Sequence, residues 1–222
     1  MDDRLIVALD YTDLDAARKL IIKLDDLVSF YKVGWATFMT GGIAFVQELR
    51  DRGKKVFLDL KMDDIPEQVR MTVEAISRLE VEFFTLQGDY ETFQAAKEGR
   101  GTNPYPRAFL HVPLISSRLA NPYDVEARRE FERMVSDGID GLVASGNMIS
   151  MTRGYFGSNP NLVIVAPGIR RRGQEYHDHR RHMQPQQALK AGANHLVVGR
   201  SIRTARDPRE EVLNILDEID RA

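Results

Sequence analysis

The sequence contains no cysteine, has almost no net charge and lacks any long apolar run. Without cysteine, disulfides, thiolate catalysis and thiolate zinc sites are all excluded. Its 31 lysines and arginines nearly balance its 33 acids, so no overall basic field favours nucleic acid or an anionic membrane. No apolar stretch approaches the roughly 20 residues that span a bilayer, and the acidic residues 1–4 do not resemble a secretory signal. We therefore expect a soluble, cytoplasmic protein with neither nucleic-acid nor membrane partners.

Short apolar segments alternate with amphipathic ones along all 222 residues. The predicted strands are residues 5–9, 30–34, 55–60, 82–86, 107–112, 141–144, 162–166 and 195–198. Eight such strands, each followed by a helical pattern and none separated by a linker, predict an α/β fold with a single (β/α)8 barrel domain over residues 1–222. A doubly wound open sheet would use the same units, but it predicts a glycine-rich turn after the first strand, where residues 10–14 contain no glycine.

The stretches between the strands predict helices from their apolar periodicity and their caps. Thr12 or Asp13 is expected to cap the first helix, and Asp207 with Pro208 to open the last one. The other helices are predicted near residues 42–50, 66–79, 90–97, 124–135, 148–153 and 185–191.

The most informative segment is residues 57–66, where an apolar strand ends in three acids and one lysine. Alternate side chains of a strand share a face, so Asp59 and Lys61 are predicted to project to the same side. The acid pair at 63–64 follows in the turn before Pro66, a residue suited to the first turn of a helix. Carboxylates on both sides of an ammonium keep it protonated and ready to donate. A solvated strand end is the alternative interpretation.

Lys32 lies in the second predicted strand, which is otherwise apolar. A buried ammonium is costly unless it is paired, and Asp10 and Asp59 follow or lie in the two flanking strands. We therefore predict an alternating array of Asp10, Lys32, Asp59 and Lys61 at the carboxyl ends of the strands, where barrel active sites lie. A lysine that extends to solvent at a strand edge is the alternative. Further polar candidates at strand ends are Ser116, Ser117 and Arg200.

A glycine–arginine pair, Gly199 and Arg200, ends the eighth predicted strand. Barrels commonly bind phosphate at the loops after strands seven and eight. Glycine allows the backbone to approach a phosphate closely, and the forked guanidinium of arginine can donate two hydrogen bonds to phosphate oxygens. This position therefore predicts a phosphate site.

Residues 167–184 form a long polar loop, which we predict to be a lid. Three consecutive arginines beginning at Arg170 make it basic, so it could close over an anionic substrate. Nucleic-acid binding is the alternative use of such a run, and the balanced net charge disfavours it. The histidines at 177, 179 and 182 lie among arginines, an unfavourable setting for a metal ion, so we expect no metal.

The segment from Asp59 to Pro66, Asp-Leu-Lys-Met-Asp-Asp-Ile-Pro, resembles the DxKxxDIP signature of the orotidine 5′-monophosphate decarboxylase family. The likeness extends along nearly the whole chain, through strand-end motifs at residues 5–10, 31–34, 167–170 and 197–201. The resemblance implies a homodimeric (β/α)8 enzyme of de novo pyrimidine synthesis. It would convert orotidine 5′-monophosphate to UMP and CO2 without metal or organic cofactor.

The resemblance also implies residue roles. Lys32, Asp59, Lys61 and Asp64 would form the catalytic array, with Asp64 and Ile65 reaching into the site of the partner subunit. The substrate contacts would be Asp10 and Lys32 at the ribose, Ser117 at the pyrimidine ring, Arg170, Gly199 and Arg200 at the phosphate, and in addition Ile65, Gln68, Pro167 and His179.

Three residues depart from the family pattern: Gln68 replaces a threonine, Gln87 a histidine, and His179 a phosphate-binding glutamine of the lid. None lies in the lysine–aspartate array. Two alternatives stay open. A Mg²⁺-dependent sugar-phosphate decarboxylase or aldolase of the same superfamily would carry an additional acid on strand two, where this chain has Lys32. A catalytically silent nucleotide-binding paralogue is suggested by the three departures.

Overall fold

The structure, a computed structural model, describes residues 1–112, 125–156, 159, 161–171 and 183–222. Short apolar runs form eight strands in it, close to the predicted positions. They are β1 (Leu5–Ala8), β2 (Phe30–Gly34), β3 (Lys55–Met62), β4 (Phe83–Leu86), β5 (Ala108–His111), β6 (Gly141–Val143), β7 (Val163–Ala166) and β8 (His195–Val198).

The strands form a closed barrel in sequence order, and every neighbouring pair is parallel. β8 pairs with β1, with Leu5 opposite Leu196, which closes the barrel. The predicted (β/α)8 fold is confirmed. Because all strands run the same way, their carboxyl ends meet at one rim, the rim that carries active sites in barrels of this kind.

Two apolar layers follow from the alternation of side chains along the strands. The smaller cluster takes residues from nearly every strand and fills the barrel interior: Ile6, Ala8, Phe30, Phe57, Phe83, Ala108, Leu110, Val165 and Val197. The larger cluster packs the other strand faces against the helices. Lys32 follows Phe30 by two residues, and Asp59 follows Phe57 by two. Their side chains therefore lie on the interior face, directly above this core.

The helices alternate with the strands in sequence, and two helices follow β8. They are α1 (Leu14–Lys23), α2 (Trp35–Asp51), α3 (Pro66–Ser77), α4 (Tyr90–Arg100), α5 (Val125–Ser136), α6 (Met148–Phe156), α7 (Pro185–Lys190), α8 (Arg200–Arg203) and α9 (Pro208–Asp220). Asp13, not Thr12, caps α1, and Asp207 caps α9 as predicted. Within the described residues, no helix is long and apolar enough to cross a membrane.

Two helical features differ from the sequence prediction. The second helix starts at Trp35, immediately after β2, and breaks at Gly42, whose φ of 55° and ψ of −154° are not helical. Sequence periodicity located only the part after this break, because the apolar pattern changes there. The four-residue α8 was not predicted, since so short a helix shows no periodicity.

Candidate active site

A pocket of about 400 Å³ opens at the rim formed by the carboxyl ends of the strands. A volume of this order suits a small ligand. Residues at or after the ends of seven strands line it: Ala8, Asp10, Lys32, Asp59, Lys61, Val112, Val143, Ser145, Pro167, Gly168, Arg170, Val197, Gly199, Arg200 and Arg203. Eight of the residues predicted to serve the site therefore share one cavity: Asp10, Lys32, Asp59, Lys61, Pro167, Arg170, Gly199 and Arg200.

Four charged side chains form a continuous chain of contacts at the floor of this pocket. The Nζ atom of Lys32 lies 3.1 Å from Asp10 Oδ1 and 3.2 Å from Asp59 Oδ2. The Nζ atom of Lys61 lies 2.8 Å from Asp59 Oδ1. The alternating arrangement of acid and base predicted from the sequence is present, and Asp59 joins the two lysines.

Exposure divides the array into an inner and an outer pair. The side chains of Lys32 and Asp59 are 12% and 14% exposed, whereas those of Lys61 and Asp10 are 40% and 42% exposed. Burial alone would raise the pKa of Asp59, but the charges and hydrogen bonds of Lys32 and Lys61 outweigh it and lower the pKa. Asp59 is therefore an ionised, buried anchor, and Lys61 is the ammonium that a ligand in the pocket can reach.

Lys61 owes its position to an irregular end of β3. Its φ is +51°, in the left-handed region, and the register between β3 and β4 shifts between Leu58 and Met62. The backbone N–H of Lys61 donates to Thr85 Oγ1 at 2.8 Å, and the Thr85 hydroxyl donates to Asp59 Oδ1 at 3.2 Å. The prediction that Asp59 and Lys61 meet is correct, but plain strand alternation is not the reason. The fully buried Thr85 fixes the bulge and the carboxylate together.

Glycines at two strand ends leave room for the array. A Cβ atom on Gly34 would lie 3.1 Å from Lys32 Nζ and 3.3 Å from Asp10 Oδ1. A Cβ atom on Gly199 would lie 3.2 Å from the Cβ of Ala8 and 3.5 Å from Asp10 Oδ2. Gly34 therefore permits the close approach of Lys32 and Asp10, and Gly199 brings the backbone after β8 against the end of β1.

Arginines also line the pocket. Arg170 donates to Ser201 Oγ and to its neighbour's carbonyl at Ile169, both at 3.1 Å. Burial, and in addition the charge of Arg200, lowers the pKa of Arg170. Like charges repel each other, so an anion that contacts both guanidinium groups would be stabilising. This is the region in which the sequence predicts phosphate.

One arginine of the predicted lid, Arg171, is neutralised by acids of α9. Arg171 pairs with Glu211 and Glu218 of α9, at 3.1 Å each, and is thereby neutralised away from the pocket. Ile169 and Met183 form a parallel bridge, and the N–H of Arg170 donates to the Met183 carbonyl at 3.0 Å. The two ends of the predicted lid are thus joined at the base. Residues 172–182, with His179, lie outside the described residues.

The other predicted contacts fall in two groups. Asp64, Ile65 and Gln68 are exposed and do not line the pocket of their own chain; the Asp64 carboxylate accepts the N–H of Ile65 at 2.7 Å. Ser117 and its neighbour Ser116 lie outside the described residues.

Sequence reasoning did not assign several of the pocket residues, Val112, Ser145 and Arg203 among them, and it missed one supporting residue, Thr85. Ser145 and Val112 follow strands β6 and β5, and Arg203 ends α8. Thr85 supports the array through hydrogen bonds to the Lys61 backbone N–H and to the Asp59 carboxylate. A polar residue within the apolar run of β4 was a signal that could have identified Thr85. No comparable signal marks Arg203, because its place depends on a short turn of helix.

A closed barrel of eight parallel strands with a lysine–aspartate array at the carboxyl rim has the architecture of a (β/α)8-barrel enzyme. The chain belongs to the orotidine 5′-phosphate decarboxylase / HUMPS family, whose sequence model matches residues 3–215.

Individual relatives agree with this assignment. The chain is 40% identical to orotidine 5′-phosphate decarboxylase of Rhodopseudomonas palustris strain HaA2, across 99% of this chain and 96% of that protein. It is also 40% identical to the enzyme of the same name from Methylorubrum extorquens strain PA1, across 99% and 97%. The crystal structure of orotidine 5′-phosphate decarboxylase from Lactobacillus acidophilus matches 99% of this chain and 100% of its own, with a TM-score of 0.77 and 27% identity.

Proposed function

We propose that the protein converts orotidine 5′-monophosphate to UMP and CO2 in de novo pyrimidine synthesis. The observation that carries the proposal is the chain of ion pairs from Asp10 through Lys32 and Asp59 to Lys61, in a pocket that arginines also line. Family membership and the names of the relatives supply the substrate.

Lys61 is the proposed proton donor. When the bond between C6 and the carboxylate breaks, its electron pair stays on C6 of the pyrimidine, and the developing negative charge needs a fixed cation beside it. The Lys61 ammonium is the more exposed of the two array lysines and lines the pocket. It stabilises that charge and then transfers one proton to C6, and solvent reprotonates the amine.

Asp59 and Lys32 are proposed to keep the Lys61 ammonium in position for proton transfer. Asp59 is buried and its pKa is lowered, so its carboxylate stays charged and keeps the Lys61 ammonium 2.8 Å away. Its negative charge would also lie beside the departing carboxylate of the substrate, which favours loss of CO2. Lys32 neutralises the inner side of Asp59 and, with Asp10, would bind the ribose hydroxyls.

The arginine end of the pocket is proposed to bind the 5′-phosphate. Arg170 and Arg200 would supply charge-assisted hydrogen bonds, and Gly199 and Pro167 line the same pocket. Ser117 is proposed to contact the pyrimidine ring, and His179 to reach the phosphate from the lid. Binding energy at the phosphate, remote from C6, would stabilise the closed complex.

We also propose a homodimer with shared active sites. Asp64, Ile65 and Gln68 are exposed and do not line the pocket of their own chain, which leaves them available to a partner's site. Large apolar side chains are exposed on the neighbouring elements: Trp35 (53%), Met39 (74%), Ile43 (57%), Ile65 (64%) and Met71 (51%). Exposed apolar side chains of this size, on elements that follow adjacent strands, fit a protein interface.

No metal or organic cofactor is needed in this proposal, and the reaction is assigned to the cytoplasm. The second strand carries Lys32, where the Mg²⁺-dependent relatives carry an additional acid. The composition, without cysteine and near neutral charge, fits a cytoplasmic enzyme.

Turnover of orotidine 5′-monophosphate, followed by UV absorbance with and without EDTA, tests the proposal. The wild-type protein is expected to consume the substrate and release UMP at the same rate in both conditions. Activity that EDTA abolishes and Mg²⁺ restores would indicate the metal-dependent sugar-phosphate branch of the superfamily. UMP binding without turnover would indicate a silent paralogue, and either result would contradict the proposal.

A further inference from the structure

The pocket carries more positive charge than the four-residue array needs. Among the described residues, five cations line it, two lysines and three arginines, against the carboxylates of Asp10 and Asp59. The formal net charge of these described lining residues is therefore +3. The proposed substrate carries about three negative charges, one on its carboxylate and up to about two on its phosphate. Arg170 and Arg200 already have a proposed role at the phosphate, whereas the third arginine, Arg203, has none.

Within the part of the chain that the structure describes, Arg203 has no acidic partner, in contrast to Arg171 and Arg209. Arg171 pairs with two glutamates, and Arg209 pairs with Asp26 at 2.5 Å. No carboxylate of the described residues pairs with Arg203, and its buried Nε has no hydrogen-bond partner among them. A partly buried guanidinium without an acceptor is costly, so a ligand that supplies acceptors is favoured there.

An aromatic ring holds Arg203 in place. Its guanidinium carbon lies 5.0 Å from the ring centroid of Tyr11, within the distance of a cation–π contact. Tyr11 is fixed in turn, since its backbone N–H donates to Thr37 Oγ1 at 3.0 Å and Thr37 is fully buried. Stacking on a ring orients the planar group without using its N–H donors, which remain for a ligand.

We propose that Arg203 is a third phosphate-binding residue. Its guanidinium donates hydrogen bonds to the 5′-phosphate of a nucleotide ligand, and the ring of Tyr11, which follows β1, orients that guanidinium. The inference rests on the proposed function only in taking a nucleoside 5′-monophosphate as the ligand. It predicts that Arg203 separates phosphorylated from unphosphorylated ligands.

The test compares Arg203→Met with Arg206→Met in calorimetric binding of UMP and uridine. Arg206 lies three residues further along the same segment, is exposed and does not line the pocket, so its variant removes the same charge without the proposed contact. Arg203→Met is expected to weaken UMP binding about tenfold or more, the loss typical of a charge-assisted hydrogen bond, and to change uridine binding less than about twofold. Arg206→Met is expected to leave both affinities unchanged.

Two further variants keep the proposal testable if Arg203→Met folds poorly. Arg203→Lys retains the charge but loses the forked guanidinium, and Tyr11→Leu removes the ring against which that group packs. Relative to the wild-type protein, each is expected to weaken UMP binding by more than about twofold and to change uridine binding by less than about twofold. Equal weakening of UMP and uridine would make Arg203 a structural residue and overturn the proposal. Unchanged UMP binding, or an equal loss in Arg206→Met, would also overturn it. Wild-type turnover of orotidine 5′-monophosphate, measured in the same preparations, tests the proposed function separately.

Discussion

Replacing Thr85 with valine removes one hydroxyl from beneath the array while keeping the shape of the side chain. In the wild-type protein that hydroxyl accepts the Lys61 backbone N–H at 2.8 Å and donates to Asp59 Oδ1 at 3.2 Å. The substitution therefore leaves the amide of a left-handed residue without its acceptor and the carboxylate without one of its donors. Leaving such a group unsatisfied costs about 1–3 kcal/mol, and we expect the free energy of unfolding to fall by this amount.

The kinetic effect of Thr85→Val is expected on kcat rather than on KM. Thr85 does not line the pocket, so substrate contacts stay, but the positions of Asp59 and Lys61 are no longer fixed by a shared partner. A loss of about 1.4 kcal/mol in transition-state stabilisation corresponds to about tenfold in kcat, and we expect at least this, with KM changed less than about threefold.

Steady-state kinetics with orotidine 5′-monophosphate and urea unfolding measure the two effects. Thr85→Ser, which retains the hydroxyl, is expected to recover most of kcat. Thr152→Val serves as the control, because Thr152 is buried in α6 and does not line the pocket. A Thr85→Val protein with wild-type kcat would refute the reasoning that the hydroxyl positions the array.

Three further predictions follow from the geometry. Gly34→Ala would place a Cβ atom 3.1 Å from the Nζ atom of Lys32, so activity is expected to fall at least about fivefold. The control Gly154→Ala, whose added Cβ would meet nothing within 4 Å, should not change the activity. Equal rates in the two variants would contradict this prediction. Burial, opposed by a backbone hydrogen bond, lowers the pKa of His195. Below pH about 6.5 the unfolded chain therefore binds more protons at this histidine than the folded protein does. The contribution of His195 to stability is fully present above that pH and is lost as the pH falls through the lowered pKa of the folded state. His195→Asn should accordingly flatten the fall of Tm between about pH 7 and pH 5, and an unchanged slope would show that other groups cause it. Mixing inactive Asp64→Asn with inactive Lys61→Ala chains should restore part of the activity if sites are shared, whereas no recovery after verified subunit exchange would indicate self-contained sites.

Much of the barrel could be predicted from the sequence, because its strands are short apolar runs bounded by polar residues. The interior alternation also placed Lys32 and Asp59 on one face, two residues beyond the core positions Phe30 and Phe57. The contact between neighbouring strand ends then follows from parallel pairing, with Gly34 opposite Asp59. Local pattern and topology agree at these positions, which is why the array was predictable.

The features that escaped prediction depend on contacts between distant segments. The left-handed Lys61 is held by Thr85 from another strand, and no local pattern predicts a positive φ at a lysine. The pairing of Arg171 with α9 similarly requires knowing where that helix packs. Arg203 reaches the pocket only because α8 follows β8 without a loop.

The decisive measurement for the role of Lys61 in decarboxylation is the initial rate of orotidine 5′-monophosphate consumption by Lys61→Met. Lys55→Met is a matched control: the same residue type lies at the other end of β3, with a side chain 39% exposed against 40% for Lys61, and pairs with Asp3. We predict that Lys61→Met loses at least about a hundredfold in kcat while retaining UMP affinity within about threefold, because a general acid typically contributes about 10²–10⁴ and the phosphate contacts are intact. The folded Lys55→Met protein should keep the wild-type kcat. A Lys61→Met protein that consumes the substrate at the wild-type rate would contradict the account.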